Sequence, residues 1–326
     1  MRIVCLLLCS PALACAAQLV PPAGFTKALP PHRMQGKCID LPAPYTAPLE
    51  FRSKYDGSDG ARATLNPEAE QAFHSSTQPI VDFERGISQM IWRYKYSGDV
   101  DTLNCIVAGY QRWAEANALT ATRTNHTGRA MRKWALATLA TGWVELKFMP
   151  ETPLNHTQHI DRWLGLLADQ VVNDWDGLPL EKTNNHSYWA AWSVMATAVA
   201  LDRHDLFAWS EKMYRIAAGQ IEMEGTLPNE RKRRGRAVAY HNYALQPLVM
   251  IASFAGANGV DLLAENHFAL RRLANYVLRE DKQDLQWLAP YCTLTKCDNV
   301  TISLRDDHRP LKNRRLGGDL TALYSP

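Results

Sequence analysis

The segment Ser187-Tyr-Trp-Ala-Ala-Trp-Ser-Val-Met-Ala-Thr-Ala-Val-Ala-Leu201 indicates the fold of this chain most directly. Large apolar side chains, among them Trp189, Trp192 and Val199, cover most of the surface that a helix of this sequence would present. A helix that is apolar on nearly every side is buried among other elements. The segment therefore predicts a central helix of a large helical domain.

Helical patterns continue on both sides of this segment, with apolar residues recurring at three- and four-residue spacing. The predicted helices lie near residues 67–75, 79–96, 99–117, 128–147, 157–173, 187–202, 205–222, 237–256, 260–279 and 281–288. Short connections between helices predict antiparallel neighbours. We predict an all-α fold, an α/α toroid in which helical hairpins surround a groove, with a plain helical solenoid as the alternative. The polar, basic tail after about residue 289 is predicted to be irregular.

The N-terminal part of the chain differs in composition from the helical part. Residues 1–17 have a short positive end, an apolar stretch and a small-residue cleavage pattern, which predicts a signal peptide removed near Ala16-Ala17. Residues 18–66 are predicted to form an extended, proline-rich segment followed by an exposed loop over 52–66 that can act as a lid. Residues 67–326 are then predicted to form one domain, whose first helix begins at the cap Asn66-Pro67.

The composition excludes several classes of protein. Apolar residues make up 46% and charged residues 21%, which is ordinary for a globular protein. The net charge of +3 is too small to indicate a nucleic-acid partner. Beyond the leader, no stretch approaches the roughly 18 apolar residues of a membrane span.

Four of the seven cysteines remain once the predicted signal peptide has left, and they suit two disulfides in an oxidising compartment. Cys292 and Cys297 are close enough in sequence for a disulfide between them to close one short loop. Cys38 and Cys105 would then tie the N-terminal segment to an early helix. A zinc site is the rival interpretation, but the chain has no Cys-x-x-Cys pair, so we predict no metal.

Two polar loops lead into predicted helices and contain residues that can carry chemistry. The first is Thr183-Asn-Asn-His-Ser-Tyr-Trp189, which places Asn185 and His186 at a helix N-terminus, where anions are favoured. The second runs from Glu230 through the basic run Arg231–Arg236 to Tyr240 and His241. Taken alone, the first would be a helix cap and the second a solvated loop. Together they supply an amide, an imidazole, guanidinium groups and a phenol.

Cleavage of a uronate chain by β-elimination needs that set of groups. The hydrogen on C5 is weakly acidic, so the neighbouring carboxylate must be neutralised and the enolate-like intermediate stabilised. Asn185, His186 and Arg233 are of the right types for this role. Tyr240 could remove the C5 hydrogen and protonate O4 if cations and an imidazole lower its pKa below its usual value of about 10. In mannuronate these two atoms lie on one face of the ring, so one residue could serve both.

The sequence resembles the periplasmic mannuronate-specific alginate lyases over roughly residues 30–320. The resemblance is carried by Asn-Asn-His-Ser-Tyr-Trp at 184–189, by residues 229–242, and by Ser-Lys-Tyr-Asp-Gly-Ser-Asp at 53–59. It implies an incomplete α/α toroid with a deep substrate groove and no cofactor. It also implies that the polyanionic polysaccharide alginate is the substrate, that the location is periplasmic, and that the protein can associate with an alginate biosynthesis or export complex.

The same resemblance assigns roles to individual residues. The catalytic set falls on Asn185, His186, Arg233 and Tyr240, and His186 can also be written as the base, with Tyr240 as the acid only. A lysine of the lid falls on Lys54, with Tyr55 beside it. Further candidates for substrate binding are Tyr188, Trp189, Arg234, Arg236 and His241.

Three other functions remain open from the sequence. A glycoside hydrolase on an α/α scaffold would need two carboxylates, for which Asp174, Asp176 and Glu230 are candidates. A non-catalytic polyuronate-binding protein would need the basic groove without Tyr240. A lyase for another acidic glycan would use a similar set of residues.

Overall fold

The computed structural model describes residues 16–27, 36–280 and 282–325. Its helices are α1 Pro67–Ser97, α2 Val100–Glu115, α3 His126–Phe148, α4 Gln158–Trp175, α5 Asn185–Leu201, α6 His204–Gln220, α7 Pro228–Arg231, α8 Ala237–Ala257, α9 Glu265–Glu280, α10 Leu288–Thr295, α11 Asn299–Asp307 and α12 Leu320–Leu323. Short 3-10 turns span Ala23–Phe25, Leu180–Lys182, Arg234–Arg236 and Arg314–Leu316. Two short strands, β1 Lys312–Asn313 and β2 Gly318–Asp319, pair antiparallel.

The long helices form two layers. An inner series of α1, α3, α5 and α8 makes contact from each helix to the next, and α2, α4, α6 and α9 pack outside it. Helix α5 is the centre of this arrangement, because it packs against α3, α4, α6 and α8. Its Trp189 and Trp192 are 1% and 0% exposed, as the apolar sequence predicts. The predicted all-α toroid is confirmed.

The first long helix begins where the sequence places it. The side chain of Asn66 accepts hydrogen bonds from the backbone of Glu68 and Ala69, and Pro67 occupies the first turn. The helix then continues through Pro79, although two separate helices were predicted here. Buried Phe73, Ile80 and Phe83 lie on both sides of that proline, and their packing outweighs the lost backbone hydrogen bond.

The C-terminal part of the chain corrects two predictions. Residues 282–287 form a loop instead of a helix, because the Asn242 side chain donates to the Gln283 carbonyl and accepts from the Trp287 indole. The tail after residue 289 is ordered by helices and a hairpin, whereas an irregular tail was predicted. Leu316, Leu320 and Leu323 of this tail are buried. The tail therefore belongs to the core and lies against α1, α3 and α8.

Both predicted disulfides are present. Cys38 is bonded to Cys105 on α2, and Cys292 is bonded to Cys297 at the end of α10. The predicted signal peptide falls almost entirely outside the described residues. Among the residues that are described, no helix is both long and apolar enough to cross a bilayer.

Candidate active site

The two polar loops identified in the sequence meet at one cavity of about 700 Å³. The first loop ends at α5, where the side chain of Asn184 caps the helix by accepting from the His186 backbone. The second loop runs through the 3-10 turn Arg234–Arg236 into α8. Asn185, His186, Arg233 and Tyr240 all line this cavity. The structure therefore brings the four predicted catalytic residues together.

Tyr240 lies among the groups that can control its proton. Its hydroxyl is 2.8 Å from that of Tyr55, and the Arg236 guanidinium donates to the Tyr55 hydroxyl at 2.8 Å. The guanidinium carbon of Arg233 lies 3.8 Å from the centre of the Tyr240 ring and 5.0 Å from that of Tyr55. Arg233 is held there by its hydrogen bond to the carbonyl of Arg62.

The pKa of Tyr240 shifts in the direction opposite to the one predicted from the sequence. Burial raises the pKa of Tyr240 above its ordinary value, and the hydrogen bond with Tyr55 raises it further when Tyr240 is the donor. Arg233 and Arg236 lower this pKa, but by less. Tyr240 is therefore a neutral phenol, because desolvation opposes the phenolate more strongly than the two cations support it.

His186 lies in a cluster of aromatic rings below the cavity. Its ring stacks on Trp175 at 5.6 Å with an angle of 6° between the planes, and His126 approaches it edge-on at 5.0 Å. Its Nδ1 is 2.9 Å from the amino group of Lys133. Burial, followed by the charges of Lys133 and other cations, holds the pKa of His186 well below its ordinary value. The imidazole is therefore neutral at physiological pH.

Asn185 is held by a buried carboxylate that sequence reasoning did not assign to the lyase site. Its backbone N–H and its side-chain amide group donate to Glu230, which is 1% exposed. Asn185 Oδ1 is buried and has no hydrogen-bond partner among the described residues. In this arrangement the side-chain amide of Asn185 donates to Glu230, whereas the sequence predicted it as a donor to the substrate carboxylate.

The lid segment lies over the cavity. The segment contributes three residues to the cavity lining, which are Lys54, Tyr55 and Arg62. The amino group of Lys54 also lies 3.9 Å from the carboxylate of Glu70 on α1. Tyr55 makes the contact with Tyr240 described above, so the loop contributes directly to the site. Its movement as a lid stays a prediction.

Several predicted binding residues do not face the cavity. Tyr188 is 1% exposed and donates to Gln220, while the buried indole of Trp189 donates to the Tyr243 carbonyl. His241 is fully buried, with Nε2 accepting from the Leu227 backbone and Nδ1 bonded to the Ala237 carbonyl. Arg234 is exposed outside the cavity lining, whereas Arg236 lines it. Tyr188 and His241 are therefore structural here, whereas Trp189 lines a second, neighbouring cavity.

The cavity is strongly basic. Its lining contains one carboxylate, that of Asp284, against seven cationic side chains. The cations are Lys54, Arg62, Arg85, Arg233, Arg236, Arg314 and Arg315. The last two come from the C-terminal turn, which the sequence did not associate with the site. They are positioned by Glu84 of α1, whose buried carboxylate accepts from both guanidinium groups. Burial alone would raise the pKa of Glu84, but Arg315 and Arg314 hold it below its ordinary value.

The basic groove extends beyond this cavity. A second cavity of about 830 Å³ shares Arg85, Tyr243, Arg314 and Arg315 with the first, and its walls include Arg93 and Lys312. Among the described residues, no cluster of three or more His, Cys, Asp or Glu side chains is arranged to hold a metal ion. The geometry therefore defines an elongated, cationic groove with one tyrosine hydroxyl at a junction of positive groups.

Comparison with known proteins agrees with this class of site. A family model described as alginate lyase matches residues 50–287. A protein named alginate lyase from Pseudomonas putida is 49% identical over 96% of this chain and 93% of its own length. One of the same name from Cobetia marina is 48% identical over 95% and 91%. The chain belongs to the alginate lyase family.

Solved structures share the fold. A histidine-to-alanine variant of alginate lyase A1-III, complexed with a tetrasaccharide, superimposes with a TM-score of 0.78 at 22% identity over 93% of this chain and 90% of that one. Alginate lyase A1-III from Sphingomonas species A1 gives a TM-score of 0.75 at 23% identity, with the same coverage. An alginate lyase from Bacteroides ovatus gives 0.64 at 14% identity, covering 90% of this chain and 89% of that one.

Proposed function

We propose that this protein is a polysaccharide lyase that cleaves mannuronate-rich alginate by β-elimination. The observation that carries the proposal is the Tyr240 hydroxyl, which meets Tyr55 beside the Arg233 guanidinium in a cavity lined by seven cations. Support also comes from the relatives named alginate lyase and from the tetrasaccharide complexes of alginate lyase A1-III. A linear polyuronate has one carboxylate per sugar and complements such a groove in charge.

The first requirement of the reaction is to neutralise the carboxylate next to the reacting C5 carbon. Arg233 and Arg315 are fixed guanidinium groups on the cavity wall, and His186 can add a hydrogen bond from its ring. Donors aimed at the carboxylate stabilise the negative charge that develops when C5 loses its hydrogen. Because these donors are already held in place, little reorganisation is needed when the charge appears.

The second requirement is a proton transfer at C5 and at O4. In the proposed step the C5–H bond breaks, its electrons form the C4–C5 double bond, and the C4–O4 bond breaks. Tyr240, in its phenolate form, accepts the proton from C5. The resulting phenol then donates this proton to the departing O4. The products are a chain with a new reducing end and a chain with a 4,5-unsaturated uronate at its non-reducing end.

The hydrogen-bond chain around Tyr240 can support its phenolate form. Arg236 can only donate, so the Tyr55 oxygen accepts from it and leaves the Tyr55 proton free to point at Tyr240. A phenolate at Tyr240 would thus receive a hydrogen bond from Tyr55 while Arg233 lies over its ring. Arg233 and Arg236 offset part of the rise that burial causes in the pKa of Tyr240.

The preference for mannuronate follows from the use of one residue for both proton transfers. The C5 hydrogen and the O4 leaving group lie on one face of a mannuronate ring. A single hydroxyl can reach both only in that arrangement. We therefore expect polymannuronate to be cleaved faster than polyguluronate.

The contacts of the acidic residues argue against a glycoside hydrolase. Asp174 pairs with Arg132, Asp176 with Lys212, and Glu230 with Asn185. None of the three lines the basic cavity. Two carboxylates on either side of a sugar bond, as hydrolysis requires, are not supplied by these candidates.

The experiment compares polymannuronate, polyguluronate, hyaluronan and polygalacturonate as substrates, following the ultraviolet absorbance of the unsaturated product. We expect rapid absorbance growth with polymannuronate and slow growth with the others. New reducing ends without absorbance would indicate hydrolysis and contradict the proposal. Faster cleavage of another glycan would contradict the assigned substrate.

The proposed location is the periplasm, where the predicted signal peptide would deliver the protein and where both disulfides could form. Association with an alginate biosynthesis or export complex is part of the same proposal. Fractionation of cells, followed by detection of the processed chain, tests the location.

A further inference from the structure

Lys133 of α3 is a fully buried lysine beneath the floor of the active site. Its amino group lies 2.9 Å from His186 Nδ1. It also lies 4.3 Å from the centre of the Trp134 ring and 4.6 Å from that of Trp175. The amine is therefore enclosed by two indole faces and one imidazole nitrogen.

The surroundings of Lys133 differ from those of an ordinary buried lysine. Lys95, which is equally buried, is 2.7 Å from the carboxylate of Glu145. Lys133 has no carboxylate within ion-pair distance among the described residues, and the nearby Arg315 repels it. Burying an amine without a counter-charge destabilises the fold, and an apolar side chain would fill the same space at lower cost. A role in the function of the site explains its presence.

We propose that Lys133 is a positioning residue, which donates a hydrogen bond to His186 Nδ1 and thereby keeps the ring proton on Nε2, facing the substrate carboxylate. The inference rests on the proposed function and deepens it. A neutral imidazole has one N–H and one acceptor nitrogen, and the partner of one nitrogen decides the state of the other.

The direction of this hydrogen bond follows from the groups on both sides. Burial, followed by the charge of Arg315, lowers the pKa of Lys133 well below its ordinary value, but the amine keeps N–H donors in either protonation state. The negative faces of the two indoles favour the ammonium, which has three donors and no acceptor. On the other side of the ring, His186 lines the basic cavity, and its Nε2 has no partner among the described residues. If Nδ1 carried the proton, the Nε2 lone pair would face the oxygens of a bound carboxylate and repel them. Lys133 on one side of the ring and a bound carboxylate on the other therefore both favour the tautomer with its proton on Nε2.

This assignment divides the catalytic work between the two candidate bases. With its proton on Nε2, His186 is a hydrogen-bond donor to the uronate carboxylate and cannot accept the C5 proton. The base is then Tyr240. Lys133 acts on the reaction only through His186.

The direct test is ¹⁵N nuclear magnetic resonance of histidine-labelled protein, free and with oligomannuronate, since protonated and unprotonated ring nitrogens resonate at well-separated frequencies. We expect His186 in the Nε2–H form in the wild type and loss of that preference in Lys133→Met. A wild-type ring protonated on Nδ1, or an unchanged tautomer in Lys133→Met, would overturn the inference. Because this signal does not depend on turnover, it is independent of whether alginate is the substrate.

A double-mutant cycle provides the kinetic test. Lys133→Met should lower kcat by about 10²-fold, the scale of a lost oxyanion-stabilising donor. In a His186→Ala background the same substitution should have little further effect, because the group it acts through is gone. Lys147→Met on the same helix is the matched control, since Lys147 bonds to Asp161 away from the cavity. Equal losses in both backgrounds would mean a merely structural lysine and contradict the proposal.

Discussion

At the scale of single residues, the positive groups around Tyr240 are not equivalent. Arg233 lies over the Tyr240 ring and lines the cavity, whereas Arg234 is exposed and lies outside its lining. The two are adjacent in sequence and identical in chemistry. Their difference is therefore one of position alone.

Arg233→Ala should lower kcat/KM by about 10²-fold to 10³-fold, because a fixed donor for the developing charge is lost. Arg234→Ala should leave kcat/KM within about twofold of the wild type, as expected for a solvated charge. Initial rates with polymannuronate measure both. Similar losses in the two variants would indicate a diffuse electrostatic effect of the loop instead of a specific site.

The dependence of rate on pH distinguishes the two candidate bases. Tyr240 must lose its proton before it can accept one, and burial raises its pKa, so its phenolate fraction rises about tenfold per pH unit below that pKa. The rate should therefore increase between about pH 6 and about pH 9. The pKa of His186 is lowered, so a histidine base would already be active at about pH 6 and would give a level profile. A level profile would contradict the role of Tyr240 as base.

The four residues that the sequence predicts to be catalytic all line the first cavity, whereas several of the predicted binding residues do not. Asn185, His186, Arg233 and Tyr240 stand near two loop-to-helix junctions. Helix capping could explain the first junction and a solvated loop the second, but the two together supply the set of groups that elimination needs. Tyr188 and His241 lie one or two residues after them but line neither cavity, because neighbouring helical positions point in different directions. Lys133 lies among the buried residues of α3, and a lysine at a position of the apolar pattern was the signal that could have revealed it.

At the scale of elements, most helices were predictable, and the exceptions are places where contacts distant in sequence override the local pattern. The three- and four-residue periodicity identified α2 to α6 and α8 within a few residues. It failed at Pro79, where α1 continues because the residues on both sides of the proline are packed in the core. It also failed at 282–287, where the side chain of Asn242 stabilises a loop by a hydrogen bond. The C-terminal turn with Arg314 and Arg315 has no periodicity. Its role depends on the distant Glu84, which local sequence cannot reveal.

The two disulfides should contribute unequally to stability. Cys38–Cys105 closes 67 residues of chain and Cys292–Cys297 closes 5. From loop-closure entropy, replacing the first pair by serine should cost about 4 kcal/mol of unfolding free energy and replacing the second about 2 kcal/mol. Urea unfolding of the two double variants, without reductant, measures this difference. Equal losses of unfolding free energy in the two variants would show that loop-closure entropy does not dominate the contribution of these disulfides.

At the scale of the whole molecule, the groove is longer than the catalytic cavity. The second cavity continues the first past Arg85 and Arg315, and it provides Arg93 with the aromatic side chains of Trp92 and Tyr96. Charge that continues beyond the reacting bond suits a polymer more than a short oligomer. That continuity depends on the meeting of α1, α8 and the C-terminal turn, which no single segment of sequence encodes.

Arg93→Ala should therefore raise KM by about fivefold for long polymannuronate, the effect of one lost charged contact. The KM for a short oligomer that fills only the catalytic cavity should stay unchanged. Arg162→Ala serves as the control, because Arg162 lies on α4 and outside both cavities. An Arg93→Ala effect that is the same at every chain length would contradict binding along the second cavity.

The account depends most on Tyr240 as the residue that moves the proton between C5 and O4. The most direct test is the initial rate of unsaturated product formed from polymannuronate by Tyr240→Phe, with oligomannuronate binding measured on the same preparation. We predict a fall in kcat of about 10³-fold or more, with oligomannuronate binding within a few-fold of the wild type. A Tyr240→Phe variant that binds the oligomer and cleaves the polymer at a near-normal rate would contradict the account.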